Sequence, residues 1–132
     1  EVGGNLLIKT LPMIIDSSCK PITQDDSKAS YDLLISKKDG IINWEKPAQR
    51  LEREIRAFLE WPKSKALINN TEVIITKAHV ARANGQAGKL SVNDTQLTIY
   101  TGKDALVIDQ LIPIGKSEIL GSDFIRGYRA KL

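Results

Sequence analysis

Cysteine, histidine and methionine each occur only once in this chain of 132 residues, and aromatic residues make up 5% of it. The single cysteine, Cys19, cannot form an internal disulfide and cannot build a zinc site alone, which favours a reducing cytoplasm. Long apolar runs are also missing, because no stretch approaches the roughly 18 to 20 apolar residues that span a membrane. We therefore expect a cytoplasmic protein without a membrane segment.

Candidate catalytic and metal-binding groups are equally sparse. His79 lies in a strand-like run without a second ligand at metal-binding spacing, so a structural or simply exposed role is favoured. Cys19 has no nearby histidine or second cysteine that would activate its thiol. Asp25 and Asp26 could form a metal pair, but adjacent acids in a solvated linker are commoner. We therefore expect no metal, no cofactor and no catalysis by this chain alone.

The net charge is small and unevenly distributed. The formal net charge is +3. Residues 1–39 contain five basic and six acidic residues, whereas residues 40–132 contain fourteen basic and ten acidic residues. A modest basic excess in one segment is compatible with a polyanionic partner. It is also common among unrelated soluble domains, so charge alone identifies no function.

Two different segments precede the main domain. Apolar residues at three- and four-residue spacing predict a helix near the start, with a kink or a restart at Pro12. No partner helix lies nearby in sequence, so we interpret residues 1–19 as the edge of another domain. Residues 20–39 are polar and lack periodicity, which predicts an extended linker.

Residues 40–132 have the pattern of one α+β domain. Pro47 suits the first turn of a helix, and Trp61-Pro62 is expected to end it. Five short segments then alternate between apolar and polar residues, with turns about every ten residues: 66–68, 73–78, 90–92, 97–99 and 106–113. This spacing predicts about five strands in a small closed or partly closed barrel. A last helix is expected to begin near Ser122.

Three segments, in the same order and at similar spacing, resemble the methionyl-tRNA formyltransferase family. The linker KPITQDDSKASYDLLISKKDGIINW is similar to the family pattern that ends in Ser-Lys-x-Asp-Gly-x-Ile-Asp-Trp. The helix LEREIRAFLEWP is similar to Ile-Arg-Ala-Phe-Asn-Pro-Trp-Pro, and the tail GSDFIRGYR to Asp-Phe-Leu-Arg-Gly-Tyr/Arg. The match departs from the family at Asn43, at Leu59-Glu60, at Lys63-Ser64-Lys65, where small residues are usual, and at residues 116–120, which concerns contacts more than fold.

The resemblance implies a fold and an activity. The family has an N-terminal Rossmann-like domain, a linker and an OB-like barrel, so residues 1–19 would be the last helix of the catalytic domain, 20–39 the linker, and 40–132 the barrel. The enzyme transfers a formyl group from 10-formyltetrahydrofolate to initiator methionyl-tRNA in translation initiation. Its catalytic Asn, His and Asp lie in the first domain, so no catalytic or cofactor-binding residue is assigned here. The expected partners are this tRNA and the chain's own catalytic domain.

Basic residues around the linker and the helices are the candidate nucleic-acid contacts, because phosphate backbones reward cations spread along one groove. They are Lys37, Lys38, Arg50, Arg53, Arg126 and Arg129. The alternative is that these charges only solvate a surface. Trp44 and Trp61 could stack on bases, although packing next to proline is the commoner role. Two other functions stay open: a related folate hydrolase or nucleotide-sugar formyltransferase, and a purely structural module that orients domains.

Overall fold

The protein was analysed as a computed structural model that describes residues 1–93 and 95–128. The chain separates into two compact units, Glu1–Leu33 and Leu34–Leu132. The finer division at residues 19 and 39 stays a prediction. None of the described helices is long and apolar enough to cross a membrane.

The first unit contains one helix, α1 (Val2–Ile15), and a 3-10 turn, Asp26–Lys28. Helix α1 runs unbroken through Pro12, so the expected restart does not occur. None of its residues is buried, and large apolar side chains such as Leu6 and Ile8 are mostly exposed. The remainder of residues 16–33 is extended or irregular.

The second unit begins with a 3-10 turn, Lys37–Gly40, and its described residues form two helices and six strands. The helices are α2 (Ala48–Ala57) and α3 (Gly121–Tyr128). The strands are β1 (Ser64–Ile68), β2 (Thr71–Ala81), β3 (Leu90–Val92), β4 (Leu97–Tyr100), β5 (Ala105–Pro113) and β6 (Ile119–Leu120). The predicted α+β class is confirmed. The five predicted strands are present, and β6 is a short sixth strand with too few residues to show alternation.

The strands form one curled antiparallel sheet in the order β1-β2-β5-β4-β3, with β6 paired to β5. Strands β1 and β2 are joined by Asn69-Asn70, both with positive φ, as a tight hairpin turn requires. Strands β1 and β3 are the two edges. The sheet is therefore a half-barrel.

Helices α2 and α3 cover the same face of the sheet. Leu51 and Ile55 of α2 and Phe124 of α3 join one buried cluster with strand residues such as Ile75 and Leu106. The rings of Phe124 and Tyr128 stack with centroids 4.4 Å apart, which agrees with their predicted one-turn spacing. Burying side chains of this size supplies most of the driving force for folding, at about 1.5–3 kcal/mol each.

The pairing of β2 with β5 is interrupted by two irregularities. Lys77 pairs with Gln110 and Ala78 with Ile108, whereas Thr76 and Asp109 have no partner in the register. One extra residue on each strand bends the ladder and redirects the neighbouring side chains. The core face is retained on both sides of the bend, since Ile75 and Ala78 both contact the hydrophobic cluster.

Candidate nucleic-acid interface

The turn that carries Lys37 and Lys38 is held by a carboxylate. Ser36 donates to Asp39 Oδ2 from its backbone N–H at 2.6 Å and from its hydroxyl at 2.8 Å. Both hydrogen bonds lower the pKa of Asp39, and the one from the backbone N–H has the larger effect. The Ser-Lys-Lys-Asp-Gly segment therefore folds on itself and presents two adjacent lysines.

Gly40 and Ile42 fix this turn beside strand β1. A Cβ atom at Gly40 would collide with the carbonyl oxygen of Lys63, so only glycine allows the two backbones to approach this closely. The Ile42 N–H then donates to the Lys65 carbonyl at 2.9 Å, and Ile41 forms a parallel bridge with Lys65. The position of the lysine pair is set by backbone contacts.

Lys37 and Lys38 line an open groove of about 470 Å³ together with a third lysine, Lys65. We call this the lysine groove; Ile41, Ala66, Leu67 and Glu72 complete its lining. None of the three lysines forms an ion pair within residues 1–93 and 95–128, and Glu72 is the one acid among the lining residues. The groove therefore carries a net positive charge.

Lys65 was missed by the sequence reasoning, although the sequence contains a signal for it. Strand β1 alternates between buried and exposed residues, so Ala66 and Ile68 face the core while Lys65 and Leu67 face outward. An exposed lysine next to an exposed leucine on an edge strand is a mixed surface that could have been noted. Its closeness to Lys37 depends on the bridge to Ile41, which periodicity does not reveal.

The candidate cations on helix α2 are in a different environment. Glu54 accepts from Arg50 Nε at 3.0 Å and from Lys46 Nζ at 2.8 Å. Arg53 is exposed and has no ion pair in the described part of the chain. Helix α2 covers the core face of the sheet, whereas Lys65 lies on the opposite face of β1. The structure therefore does not bring Arg50 and Arg53 into the lysine groove.

A further ion pair on α2 was foreseen, since Arg56 Nε lies 2.6 Å from Glu52 one turn earlier. At the other end of the chain, Arg126 pairs with Asp123 on helix α3. Arg129 lies outside the described residues. The role of each candidate in nucleic-acid binding stays a prediction.

The two tryptophans differ in burial. Trp44 is half-buried, packs against the core, and lies beside Gly88, so it is a packing residue. Trp61 keeps 52% of its surface exposed, whereas the following Pro62 is buried. The expected packing role therefore applies to Trp44, whereas the ring of Trp61 stays accessible.

Neither the linker acid Asp25 nor Cys19 forms part of a metal or catalytic site among the described residues. Asp25 accepts from the backbone and hydroxyl of Ser27 and pairs with Lys28 at 3.1 Å, so it stabilises its own turn. Cys19 is exposed. Among the residues that the structure describes, no cluster of three potential metal ligands is present.

A search of protein-family models matches residues 34–129 to "Formyl transferase, C-terminal domain". The chain belongs to the formyl transferase C-terminal domain family. The match covers the lysine groove, the half-barrel and helix α3.

Similar proteins extend the likeness beyond this formyl transferase C-terminal domain to nearly the whole chain. A methionyl-tRNA formyltransferase of Herpetosiphon aurantiacus is 37% identical over 95% of this chain and 42% of its own length. A methionyl-tRNA formyltransferase of Bacillus velezensis is 33% identical over 95% of this chain and 41% of its own length. The resemblance to this family is confirmed, and the chain spans about two-fifths of the length of these curated relatives.

Solved structures share the fold. HypX from Aquifex aeolicus superimposes with a TM-score of 0.62 at 15% identity, over 94% of this chain and 23% of its own length. A second structure of HypX, in complex with tetrahydrofolic acid, gives 0.59 at 19% identity over 92% of this chain and 22% of that chain. Identities this low support a common fold alone.

Proposed function

We propose that this chain is the tRNA-binding C-terminal part of a methionyl-tRNA formyltransferase. In this proposal residues 40–132 form an OB-like barrel that holds initiator methionyl-tRNA in the cytoplasm during translation initiation. A Rossmann-like domain, of which residues 1–19 are the last helix, transfers the formyl group from 10-formyltetrahydrofolate. No residue of this chain is assigned to the folate or to the chemical step.

The lysine groove is the observation that carries the proposal. Lys37, Lys38 and Lys65 converge on one hollow and have no carboxylate partner among the described residues. Ammonium groups in this state can replace the counterions of a phosphate backbone, and the released ions make binding favourable. Such contacts position a nucleic acid without reading its sequence.

The local geometry also reduces the cost of binding. Asp39 holds the turn through Ser36, and Gly40 docks it against Lys63. The backbone that carries two of the lysines is therefore ordered before any ligand arrives, so less conformational entropy is lost on association. The groove is suited to a rigid, extended polyanion such as the tRNA backbone.

The proposal is tested by measuring the affinity of the chain for an initiator tRNA transcript over a salt series. Neutralising the groove with Lys37→Gln, Lys38→Gln and Lys65→Gln should lower the slope of log K against log salt by about 2 to 3. A matched control neutralises Lys89, Lys103 and Lys116, which are exposed outside the groove, and should change the slope by less than about 1. Absence of binding, or affinity that ignores salt, contradicts the proposal.

A purely structural module is the second candidate, and the ion pairs on the helices favour it. Arg50, Arg56 and Arg126 each contact an acid of their own helix, as expected of a solvated surface. Charge reversal at Arg126 and Arg129 in the full-length enzyme distinguishes the two. Loss of tRNA affinity with unchanged melting supports binding by these residues, whereas lower stability with unchanged affinity supports scaffolding.

A related folate hydrolase or nucleotide-sugar formyltransferase is less well supported. The similar proteins described above are methionyl-tRNA formyltransferases, and their likeness covers 95% of this chain. Neither alternative enzyme needs tRNA. The salt series separates them from the tRNA enzyme, because only the latter predicts salt-dependent affinity for the transcript.

A further inference from the structure

A second hollow lies on the sheet, apart from the lysine groove, at the double irregularity between β2 and β5. It has a volume of about 500 Å³, and its lining comes from strands β2, β5 and β6, from Thr95 and Gln96 just before β4, and from the start of α3. His79, the one histidine of the sequence, is among the lining residues. The sequence analysis predicted no binding function for the residues that line this hollow.

His79 is oriented by a carboxylate across the strands. Its Nδ1 lies 2.9 Å and 3.0 Å from the two oxygens of Asp109. An ionised carboxylate only accepts hydrogen bonds, so Nδ1 carries the proton and a neutral ring keeps Nε2 as an acceptor. Nε2 is on the side of the ring away from Asp109, and the His79 side chain is 55% exposed.

Asp109 reaches the histidine diagonally across the two strands. His79 pairs with Val107 in the register, whereas Asp109 has no register partner and lies two residues further along β5. Irregularities of this kind frequently redirect a side chain beside a functional site. A regular ladder would leave Asp109 opposite another residue of β2.

The chemistry of the hollow is mixed. Lys77 is its basic residue and Asp109 its acidic residue among the lining positions, while Gln96, Gln110 and Ser122 add groups that both donate and accept. A site with balanced charge and many neutral hydrogen-bonding groups fits a hydroxyl-bearing ligand better than a free phosphate. A ribose 2′-hydroxyl is such a ligand, because it donates and accepts at once.

We infer that this hollow is a ribose subsite, in which Nε2 of His79 accepts a hydrogen bond from a 2′-hydroxyl of bound RNA. The inference rests on the proposed function, which supplies RNA as the partner. It adds a property that phosphate contacts lack, since a 2′-hydroxyl distinguishes RNA from DNA. His79 contacts the ligand, and Asp109 is a positioning residue.

The test compares a short uridine-free RNA strand with a DNA strand of the same sequence, so that the 2′-hydroxyl is the one difference. The chain should bind the RNA about fivefold more tightly, as expected for one net hydrogen bond. His79→Asn keeps an amide N–H near the position of Nδ1 but has no group at Nε2, so the RNA preference should vanish. His79→Gln places an amide oxygen near Nε2 and should retain it.

Two measurements protect this test from misfolding and from a charge effect. Because the chain has a single histidine, its imidazole NMR signals are identified without substitution, and RNA should shift them more than DNA does. His79→Asn should leave both the melting temperature and the salt slope unchanged. A slope reduced by about 1 would indicate a cationic His79 on a phosphate and would overturn the ribose assignment.

The outcomes also separate the inference from the proposed function. Equal, salt-dependent affinity for RNA and DNA overturns the ribose subsite and leaves the phosphate model standing. The ribose subsite is also overturned if His79→Asn keeps the RNA preference and RNA does not shift the imidazole signals of the unsubstituted chain. Failure of both strands and of the tRNA transcript to bind overturns both.

Discussion

The lysine groove and the exposed face of helix α2 contain similar numbers of basic residues but place them in opposite electrostatic states. The lining of the groove contains three lysines and one acid, Glu72. None of the three lysines forms an ion pair with an acid among the described residues. On α2, Glu52 and Glu54 accept from Arg56, Arg50 and the neighbouring Lys46. A nucleic acid would have to displace those carboxylates first.

The difference shows that the number of cations is a poor guide to binding. An exposed ion pair stabilises the fold by about 0–1 kcal/mol, so the pairs on α2 matter little for stability. They do cancel the field that a phosphate would experience. The four predictions below change the groove or the helix separately, beginning with the largest expected effect.

Reversing the charge of the groove should be the most damaging change. With Lys37→Glu, Lys38→Glu and Lys65→Glu, we expect tRNA affinity to fall by on the order of a hundredfold at moderate salt, because attraction becomes repulsion. Melting should change little, since all three side chains are exposed. Arg50→Glu with Arg53→Glu is the matched helix variant. A loss as large in that variant would remove the distinction between the two regions.

Gly40→Ala should disturb the groove without altering its charge. The added Cβ collides with the Lys63 carbonyl, so the turn must move away from β1. We expect tRNA affinity to fall about fivefold because the lysine pair loses its ordered position. Gly4→Ala, where a Cβ would meet no atom within 4 Å and φ is not positive, as at Gly40, is the matched control. Unchanged affinity in Gly40→Ala would mean that only the charges matter.

Glu54→Gln should make the helix resemble the groove. The substitution removes the shared acceptor of Arg50 and Lys46 and raises the net charge by one. We expect tRNA affinity to rise about twofold, because the two released cations become available to phosphate groups. Glu60→Gln, an exposed acid beyond the end of α2, makes the same charge change without releasing a cation. An equal rise in both variants would show that ion pairing on α2 is irrelevant.

Lowering the pH into the acid range should loosen the turn that carries Lys37 and Lys38, whereas the turn stays intact at neutral pH. Because the folded-state pKa of Asp39 is lowered, its contribution is fully present above the ordinary carboxyl value of about 3.9. The contribution is lost as pH falls through the lowered value. The Ser36 amide proton should then lose its hydrogen-bonded NMR shift. Asp39→Asn should show the loosened signal already at neutral pH, and an unchanged signal there would contradict the role of the carboxylate.

The sequence predicted the elements better than the site, for physical reasons. The apolar patterns within residues 66–68 and 97–99 and the suitability of Pro47 for a first helical turn are local signals, so they indicated two strands and a helix. The short strand β6 contains two residues, which is too few to show a period. The closeness of Lys65 to Lys37 needs a bridge between residues far apart in sequence, and no local pattern contains it.

The same limit applies to His79. Sequence reasoning favoured a structural or exposed role because no second ligand lay at metal-binding spacing. Its partner, Asp109, is 30 residues away on another strand, at a position where the ladder is irregular. An irregularity of one residue on each strand leaves no trace in the alternation of apolar residues that a reader could recognise.

Strand β1 forms a ladder with β2 along one side, and on its other side Ile41 and Ile42 contact it at Lys65. The remainder of that border, residues 66–68, has no neighbouring strand among the described residues, and such a border invites a second molecule to add a strand, which is a route to fibres and precipitates. Two copies meeting border to border would place their Lys65 ammonium groups near one another, and the repulsion opposes that association. Lys65, which we assign to RNA binding, is therefore also expected to keep the protein in solution.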